Sequence, residues 1–264
     1  ANNITLIQWY EYTGIFGGSV WALLVNTIVF LIYDESKKAI SWRKQQVKLA
    51  LLIALLFVPI LFSVVRYATY NEKPHPVKVA ILQPNIDSYT EKYSMPIRDQ
   101  LKIITDLADS TKSFKPDYFI APETSIPIGI REEMISSHFT VEIIRDFLES
   151  CPDAEFVIGA TTRVVYPKGD GKTTISQPLG NSGDYYDLFN SALQIDTGIN
   201  VDIYHKSRLV PGVEFLPYPK VFGLIEDIVP DFGGLSGNHG TQDYREVFLH
   251  DSRDFKAGIP VCYE

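Results

Sequence analysis

Two long apolar runs dominate the first quarter of the chain. Residues 15–33 are nearly all apolar, with Asn26 as the one amide among them, and residues 49–66 carry no charge before Arg66. Each run approaches the ~20 residues that a helix needs to cross the hydrocarbon core of a bilayer. Tyrosine and tryptophan residues flank the runs on their outer sides, as they do at membrane interfaces. The pattern predicts two transmembrane helices in a membrane region at 1–70; the alternative is two buried helices of a soluble core.

The segment between the two runs carries more positive than negative charge. Its charged residues are Lys37, Lys38, Arg43, Lys44 and Lys48, against Asp34 and Glu35. By the positive-inside rule, such a segment stays in the cytoplasm. The chain after Arg66 is then expected on the outer side, which is the periplasm in a bacterium with two membranes. We therefore predict a multi-pass protein of the bacterial inner membrane whose main domain is periplasmic.

The rest of the chain alternates short apolar runs with amphipathic stretches. A polar, proline-containing linker is expected at 71–76, ahead of a domain at 77–264. Strands are expected at 77–82, 117–121, 156–165, 189–195, 201–204 and 255–261, and amphipathic helices at 95–114 and 141–148. Residues 166–187 are rich in turn formers and are expected to form an exposed excursion, and 209–219 an irregular loop. This order of elements is typical of a layered α/β domain.

Charge and cysteine content narrow the classes of function. The chain has 264 residues, a net charge of −8 and no long basic run outside one short loop, which argues against nucleic acid as a partner. Two cysteines, Cys151 and Cys262, are too few for a disulfide framework. The sequence starts without a methionine and stops at Glu264 with no closing element, so we expect a fragment of a longer protein.

Three reactive side chains stand at the ends of runs that are typical of strands: Glu123 and Cys262 after apolar runs, and Lys206 after the strand-like run at 201–205. A thiol becomes a nucleophile only when a neighbouring group takes its proton or lowers its pKa. Glu123 would supply the base, and the ammonium of Lys206 would stabilise an oxyanion. Each residue also has a structural alternative: an inert core cysteine, a carboxylate in a surface turn and a solvated lysine.

The sequence around these residues resembles the Glu-Lys-Cys triad of the nitrilase superfamily. The motifs are Ala-Pro-Glu-Thr at 121–124, Tyr-His-Lys-Ser-Arg-Leu-Val-Pro at 204–211 and Val-Cys-Tyr-Glu at 261–264. Together with two apolar runs ahead of the domain, they are similar to the apolipoprotein N-acyltransferases, a membrane family, over nearly the whole chain. The family usually has an aromatic residue and glycine before its loop glutamate, whereas this chain has Gly212-Val213 before Glu214.

The resemblance implies a fold and a reaction. The fold is a nitrilase-like αββα sandwich, incomplete at its C-terminus, behind the two transmembrane helices. The reaction transfers an acyl chain from a phospholipid, with phosphatidylethanolamine as the expected donor, through a cysteine thioester to the N-terminal amine of a diacylglyceryl-cysteine lipoprotein. No metal or cofactor is implied, and the enzyme is expected to be a monomer. The implied catalytic residues are Glu123, Lys206 and Cys262, with Glu214 as an auxiliary carboxylate. Tyr263 and Glu264 are next to Cys262 in the sequence and are therefore expected to line the substrate pocket.

Two other functions use the same features. A membrane-anchored amidase of the nitrilase type would hydrolyse a small amide with the same three residues. A non-catalytic membrane protein would keep the fold only as an interaction module. The triad does not separate the acyltransferase from the amidase, whereas an apolar opening beside Cys262 would favour a lipid substrate.

Overall fold

The structure, a computed structural model, divides into two compact units, Ala1–His75 and Pro76–Glu264. The described residues are 3–38, 42–72, 75–88, 90–210, 214, 239–251, 253–262 and 264. The first unit contains both predicted apolar runs, and the second contains the predicted α/β elements. Most of the predicted loop at 209–219 lies outside the described residues.

The first unit is a pair of long helices. They are α1 (Tyr10–Lys37) and α2 (Trp42–Thr69). Ion pairs join opposite ends of the two helices, Glu11 with Arg66 and Glu35 with Lys48, so the helices run antiparallel. Apolar side chains remain exposed along both helices. Both helices are long and apolar enough to cross a membrane, which confirms the two apolar helices predicted from the sequence.

The second unit is built on a mixed sheet with seven strands in the described part of the chain. They are β1 (Val79–Ile81), β2 (Tyr118–Ile120), β3 (Ile126–Arg131), β4 (Glu155–Tyr166), β5 (Gln177–Pro178), β6 (Tyr185–Ile195) and β7 (Val201–His205). The long strands β4 and β6 pair antiparallel at the centre. On one side, β2 and then β3 run parallel to successive halves of β4. On the other side, β7 and β5 run antiparallel to opposite ends of β6. On its outer side, each long strand therefore pairs with two separate short strands, with a break in the pairing between them.

Two helices cover one face of this sheet. They are α3 (Ile97–Thr111) and α4 (Phe139–Leu148), which confirm the two predicted amphipathic helices. Phe156 and Ile158 of β4 are fully buried against them. Each fully buried side chain of this size contributes roughly 1.5–3 kcal/mol to stability. The helix face thus supplies the larger of the two apolar clusters.

A small hairpin covers the opposite face. Its strands are β8 (Val247–Leu249) and β9 (Lys256–Gly258). Val157 of β4 and Tyr204 of β7 pack there with Phe248 and Val261. Helices, sheet and hairpin form three successive layers of the predicted αββα sandwich; no second helix layer lies among the described residues. The predicted class, an α/β domain behind two apolar helices, is confirmed.

The elements that the sequence pattern did not predict have physical reasons. Strand β3 contains Pro127 and Gly129, two residue types that weaken a strand signal. The strand expected at 255–261 ends at Gly258, two residues before Pro260, which has no N–H for a ladder. The strand expected from 189 begins instead at Tyr185.

The excursion expected at 166–187 is folded back onto the sheet rather than being fully exposed. It contains β5, and its last residues belong to β6. The buried carboxylate of Asp187 accepts hydrogen bonds from Thr173 (2.9 Å), Ser176 (2.6 Å) and Tyr166 (3.1 Å). The polar residues that suggested an exposed loop therefore satisfy a buried charge.

Candidate active site

Glu123 lies in the turn where the chain leaves β2 and before it rejoins the sheet as β3. Thr124 adopts a left-handed backbone conformation there, with φ of 51°. The turn crosses directly over Gly159 of β4. A Cβ added to Gly159 would lie 2.5 Å from the Thr124 nitrogen and 2.6 Å from the Glu123 Cα. The absence of a side chain at Gly159 is therefore what allows Glu123 to occupy this place.

Lys206 follows the last residue of β7. Its backbone N–H donates to the carbonyl oxygen of Asn190 on β6, at 2.9 Å. Its side chain is fully buried, and the ammonium contacts two carboxylates. The Nζ lies 2.8 Å from Oε1 of Glu214 and 3.5 Å from Oε1 of Glu123. Two of the residues predicted from the triad motif, and the predicted auxiliary carboxylate, are thus adjacent.

Asn190 joins the same group, and the sequence analysis missed it. Its Nδ2 donates to Oε1 of Glu123 at 2.6 Å and to Oε1 of Glu214 at 3.0 Å. Lys206 and Asn190 therefore each bridge the two carboxylates. The signal in the sequence was an amide within the otherwise mostly apolar strand at 189–195, and only the strand register shows what it contacts.

Lys206 and Glu214 stabilise each other in their ionised forms. Burial lowers the pKa of Lys206, but the hydrogen bond to Glu214 and the attraction of Glu123, Glu214 and Cys262 together outweigh it, so the pKa is raised. For Glu214, burial raises the pKa, whereas hydrogen bonds from Lys206, the Val210 N–H and Asn190 lower it by a larger amount in total. The net pKa of Glu214 is lowered. At neutral pH the site therefore contains an ammonium and an ionised auxiliary carboxylate.

Cys262 is exposed and lies in a turn, not at the end of a strand as expected. Its φ of 51° is in the left-handed region, which a residue with a side chain rarely adopts. Cys262 and Glu123 line one cavity of about 220 Å³, although Lys206 is not among the residues that line it. The apolar side chains in the lining are those of Ile120, Ala121, Val157, Ala192, Ile259, Pro260 and Val261. The cavity thus brings a thiol and a carboxylate to one mainly apolar space.

The second cysteine has a different environment. Cys151 is half-buried at the edge of the helix-face core, and burial raises the pKa of its thiol. A raised pKa keeps a thiol protonated and unreactive at neutral pH. Both cysteines are free, so the thiol of Cys262 is available for chemistry.

Several curated apolipoprotein N-acyltransferases align with most of the chain. The enzyme from Chlorobaculum tepidum is 26% identical over 276 aligned residues, which cover 100% of this chain and 49% of that protein. The enzyme from Thermotoga maritima is 26% identical over 259 residues, covering 98% and 41%, and that from Aquifex aeolicus is 21% identical over 256 residues, covering 95% and 47%. The chain is similar to apolipoprotein N-acyltransferases along nearly its whole length. It spans about half the length of these curated relatives.

Other comparisons give weaker likenesses. No family model matches the chain. Among solved structures, the amidase from Nesterenkonia sp. AN1 is 14% identical with a TM-score of 0.40, covering 71% of this chain and 58% of that chain. The glutamine-dependent NAD+ synthetase from Acinetobacter baumannii is 18% identical with a TM-score of 0.36, covering 70% and 27%. At these TM-scores neither likeness decides the architecture or the activity.

Tyr263 and Glu264 were predicted in the substrate pocket because they follow Cys262 directly in the sequence. Tyr263 lies outside the described residues, and Glu264 is not among the residues that line the described cavity. Instead, Oε1 of Glu264 accepts hydrogen bonds from the Tyr204 hydroxyl at 2.7 Å and from the Ser207 N–H and hydroxyl at 2.7 and 2.5 Å. Its Oε2 accepts from the Val261 N–H at 3.0 Å. Glu264 thus links the turn that contains Cys262 to Tyr204 and Ser207, which are close to Lys206 in the sequence.

Replacing Glu264 with glutamine is expected to lower turnover about tenfold with little change in KM. The amide nitrogen would face groups that are themselves donors, and a hydrogen bond to a charged group is worth roughly 1.5–3 kcal/mol. The measurement is the steady-state rate of the acyl transfer proposed below, with Glu246→Gln, an exposed glutamate near the hairpin, as the control. Unchanged turnover in Glu264→Gln would contradict this positioning role.

Proposed function

We propose that this chain carries the catalytic site of a membrane acyltransferase that moves an acyl chain from a phospholipid to the N-terminal amine of a lipoprotein. The observation that carries the proposal is the meeting of Glu123 and Cys262 in one mainly apolar cavity, with Lys206 contacting Glu123 from its buried side. The likeness to apolipoprotein N-acyltransferases supports the same reaction class. An apolar lining suits an acyl chain better than a small polar amide.

In the first half-reaction, Glu123 removes the thiol proton of Cys262. Oε1 of Glu123 already accepts from Asn190 and Lys206, while Oε2 accepts no hydrogen bond within the described part of the chain. Oε2 is therefore the oxygen free to take this proton. The thiolate attacks the ester carbonyl of the donor, and Lys206 stabilises the oxyanion that forms. Collapse breaks the ester C–O bond, and Glu123 returns the proton to the lysophospholipid alcohol.

In the second half-reaction, the neutral α-amine of a diacylglyceryl-cysteine attacks the thioester. The C–N bond forms, the C–S bond breaks, and Cys262 leaves as a thiolate. Glu123 accepts the proton that the amine loses, which restores the starting state once the thiol is reprotonated. The product is an amide, which the thiolate does not reopen readily. No step needs a metal or a redox partner.

The proposed location is the bacterial inner membrane. Helices α1 and α2 would cross it, with the basic segment between them in the cytoplasm and the catalytic unit in the periplasm. Donor and acceptor are both lipid-anchored, so a membrane-bound catalytic unit meets both substrates at the surface where they reside. We propose that a monomer suffices, because one chain contributes Glu123, Lys206 and Cys262.

The test is a covalent adduct. The protein in detergent micelles is incubated with phosphatidylethanolamine and without acceptor, then digested and analysed by mass spectrometry. We expect the peptide that contains Cys262 to gain one acyl chain, and the adduct to disappear when a diacylglyceryl-cysteine peptide is added. Cys151→Ala is the matched control and is expected to keep the adduct, whereas Cys262→Ala loses it. An acyl chain on Cys262 from small amides but not from phospholipid would favour the amidase instead.

A further inference from the structure

Lys92 lies in a turn between β1 and α3, outside the group of residues assigned above. Its backbone is anchored on both sides: its N–H donates to the Asp87 carbonyl oxygen at 2.9 Å, and its carbonyl oxygen accepts from the Gln100 side chain at 2.8 Å. Gln100 is buried in α3 and donates also to the Met95 carbonyl oxygen. The turn therefore holds Lys92 in a fixed position.

The ammonium of Lys92 is directed at the segment that carries the proposed base. Its Nζ lies 3.5 Å from the backbone carbonyl oxygen of Glu123. The side chain is half-buried, and burial lowers the pKa of Lys92 while the attraction of Glu123 partly opposes this. Among the described residues no carboxylate lies within ion-pair distance of it. By contrast, Lys102 and Lys112 in the neighbouring helical region pair with aspartates.

An ammonium that contacts a carbonyl oxygen but has no carboxylate partner keeps its charge available to an anionic ligand. The cavity, by contrast, has a negative group and no positive one in its described lining. Glu123 is the only carboxylate among its described lining residues, and no lysine or arginine is present there. A phosphodiester beside an ionised carboxylate is repelled by roughly 4 kcal/mol at 4 Å and an effective dielectric constant near 20. A cation next to Glu123 would offset this repulsion.

We infer that Lys92 binds the anionic phosphodiester of the acyl donor beside Glu123. This inference rests on the proposed function and deepens it, because it assigns the donor's charged group to a residue. The ester carbonyl and the phosphorus of a glycerophospholipid are separated by the glycerol backbone, roughly 7 Å when extended. That separation suits a phosphate near the Glu123 backbone and a carbonyl near its carboxylate. A compact lysine ammonium is a common partner for phosphate.

The test compares two acyl donors in Lys92→Gln and Lys92→Arg, with Lys102→Gln as the matched control. Phosphatidylethanolamine carries the phosphodiester, whereas p-nitrophenyl butyrate is neutral and acylates the thiol without it. We expect Lys92→Gln to raise KM for the phospholipid about ten- to hundredfold, the worth of a charge-assisted hydrogen bond. Lys92→Arg should keep most of the affinity. In all three variants, acylation by the neutral ester should change far less than KM for the phospholipid does in Lys92→Gln.

A competition measurement makes the result independent of phospholipid turnover. Glycerophosphoethanolamine, the soluble headgroup, should inhibit acylation by the neutral ester, and its inhibition constant should rise about tenfold in Lys92→Gln but not in Lys102→Gln. An unchanged inhibition constant in Lys92→Gln would overturn the inference. So would equal loss with both donors, or inorganic phosphate competing as well as the diester. If the unsubstituted protein accepts the neutral ester but never the phospholipid, the proposed function fails, while this competition still decides the role of Lys92.

Discussion

Replacing Lys206 with methionine is expected to abolish acyl transfer and to destabilise the catalytic unit. Lys206 is fully buried and contacts Glu123 and Glu214, which share the amide donor of Asn190. Without the ammonium, two carboxylates remain close together with little to separate their charges. Breaking a buried ion pair on one side costs about 3–5 kcal/mol. Loss of an oxyanion donor lowers turnover by roughly a hundred- to a thousandfold.

A double variant separates the two effects. In Lys206→Met combined with Glu214→Gln, the more buried of the two carboxylates that contact Lys206 is replaced by a neutral amide, and most of the lost stability should return. Acyl transfer should remain absent, because the cation is still missing. Thermal unfolding measures the first property, with an expected drop of roughly 10 °C for the single variant, and product formation measures the second. A single variant that transfers acyl chains at the normal rate would remove Lys206 from the mechanism.

Replacing Gly159 with alanine is expected to lower kcat/KM about a hundredfold although the residue carries no functional group. The new Cβ would lie within 2.6 Å of the backbone of Pro122, Glu123 and Thr124, so the turn must move. A displacement of about 1 Å at a catalytic group is enough for such a loss. Stability should fall by only about 1–3 kcal/mol, as for other overpacked sites.

Gly129→Ala is the matched control for this prediction. Gly129 also lies in a strand of the same sheet, but a Cβ there would meet only side-chain atoms, Leu188 Cδ2 at 3.4 Å and Arg163 Cδ at 3.6 Å. We expect that variant to keep normal activity. The comparison is made by acyl transfer and by the rate at which iodoacetamide alkylates Cys262. Normal kcat/KM in Gly159→Ala would contradict the placement of Glu123 over β4.

The sequence pattern predicted the elements whose signals are local. Short strand-like runs predicted β4 and β7, and helical periodicity predicted α3 and α4. Glu123 and Lys206 stood out because each follows a strand-like run. The structure places both in contact, as the resemblance implied, while their catalytic roles stay predictions. The strands, the helices and the positions of Glu123 and Lys206 at strand ends could be predicted because each depends on residues that are close together in the sequence.

What the sequence did not reveal depends on register. Gly159 and Asn190 look ordinary within their strands, and they matter only because β4 and β6 bring them to Glu123. Strand β3 was hidden by Pro127 and Gly129. The turn conformation of Cys262 was equally hidden, since Pro260 ended the strand early and Glu264 bonds to Ser207 far back in the chain. No local pattern encodes such distant contacts.

Because short strands flank β4 and β6 on their outer sides, Glu123 and Lys206 lie apart from the continuous strand pair that supports the sheet. The two central strands pair through eleven consecutive residue positions without a break. Glu123 and Lys206 both lie where the outer strands stop, on segments that contribute little to this ladder. Insertions or substitutions in those segments can therefore reorient the side chains of Glu123 and Lys206 while β4 and β6 keep their register. A protein built this way can acquire new substrates through changes in the segments between its strands, while the β4–β6 pair stays the same.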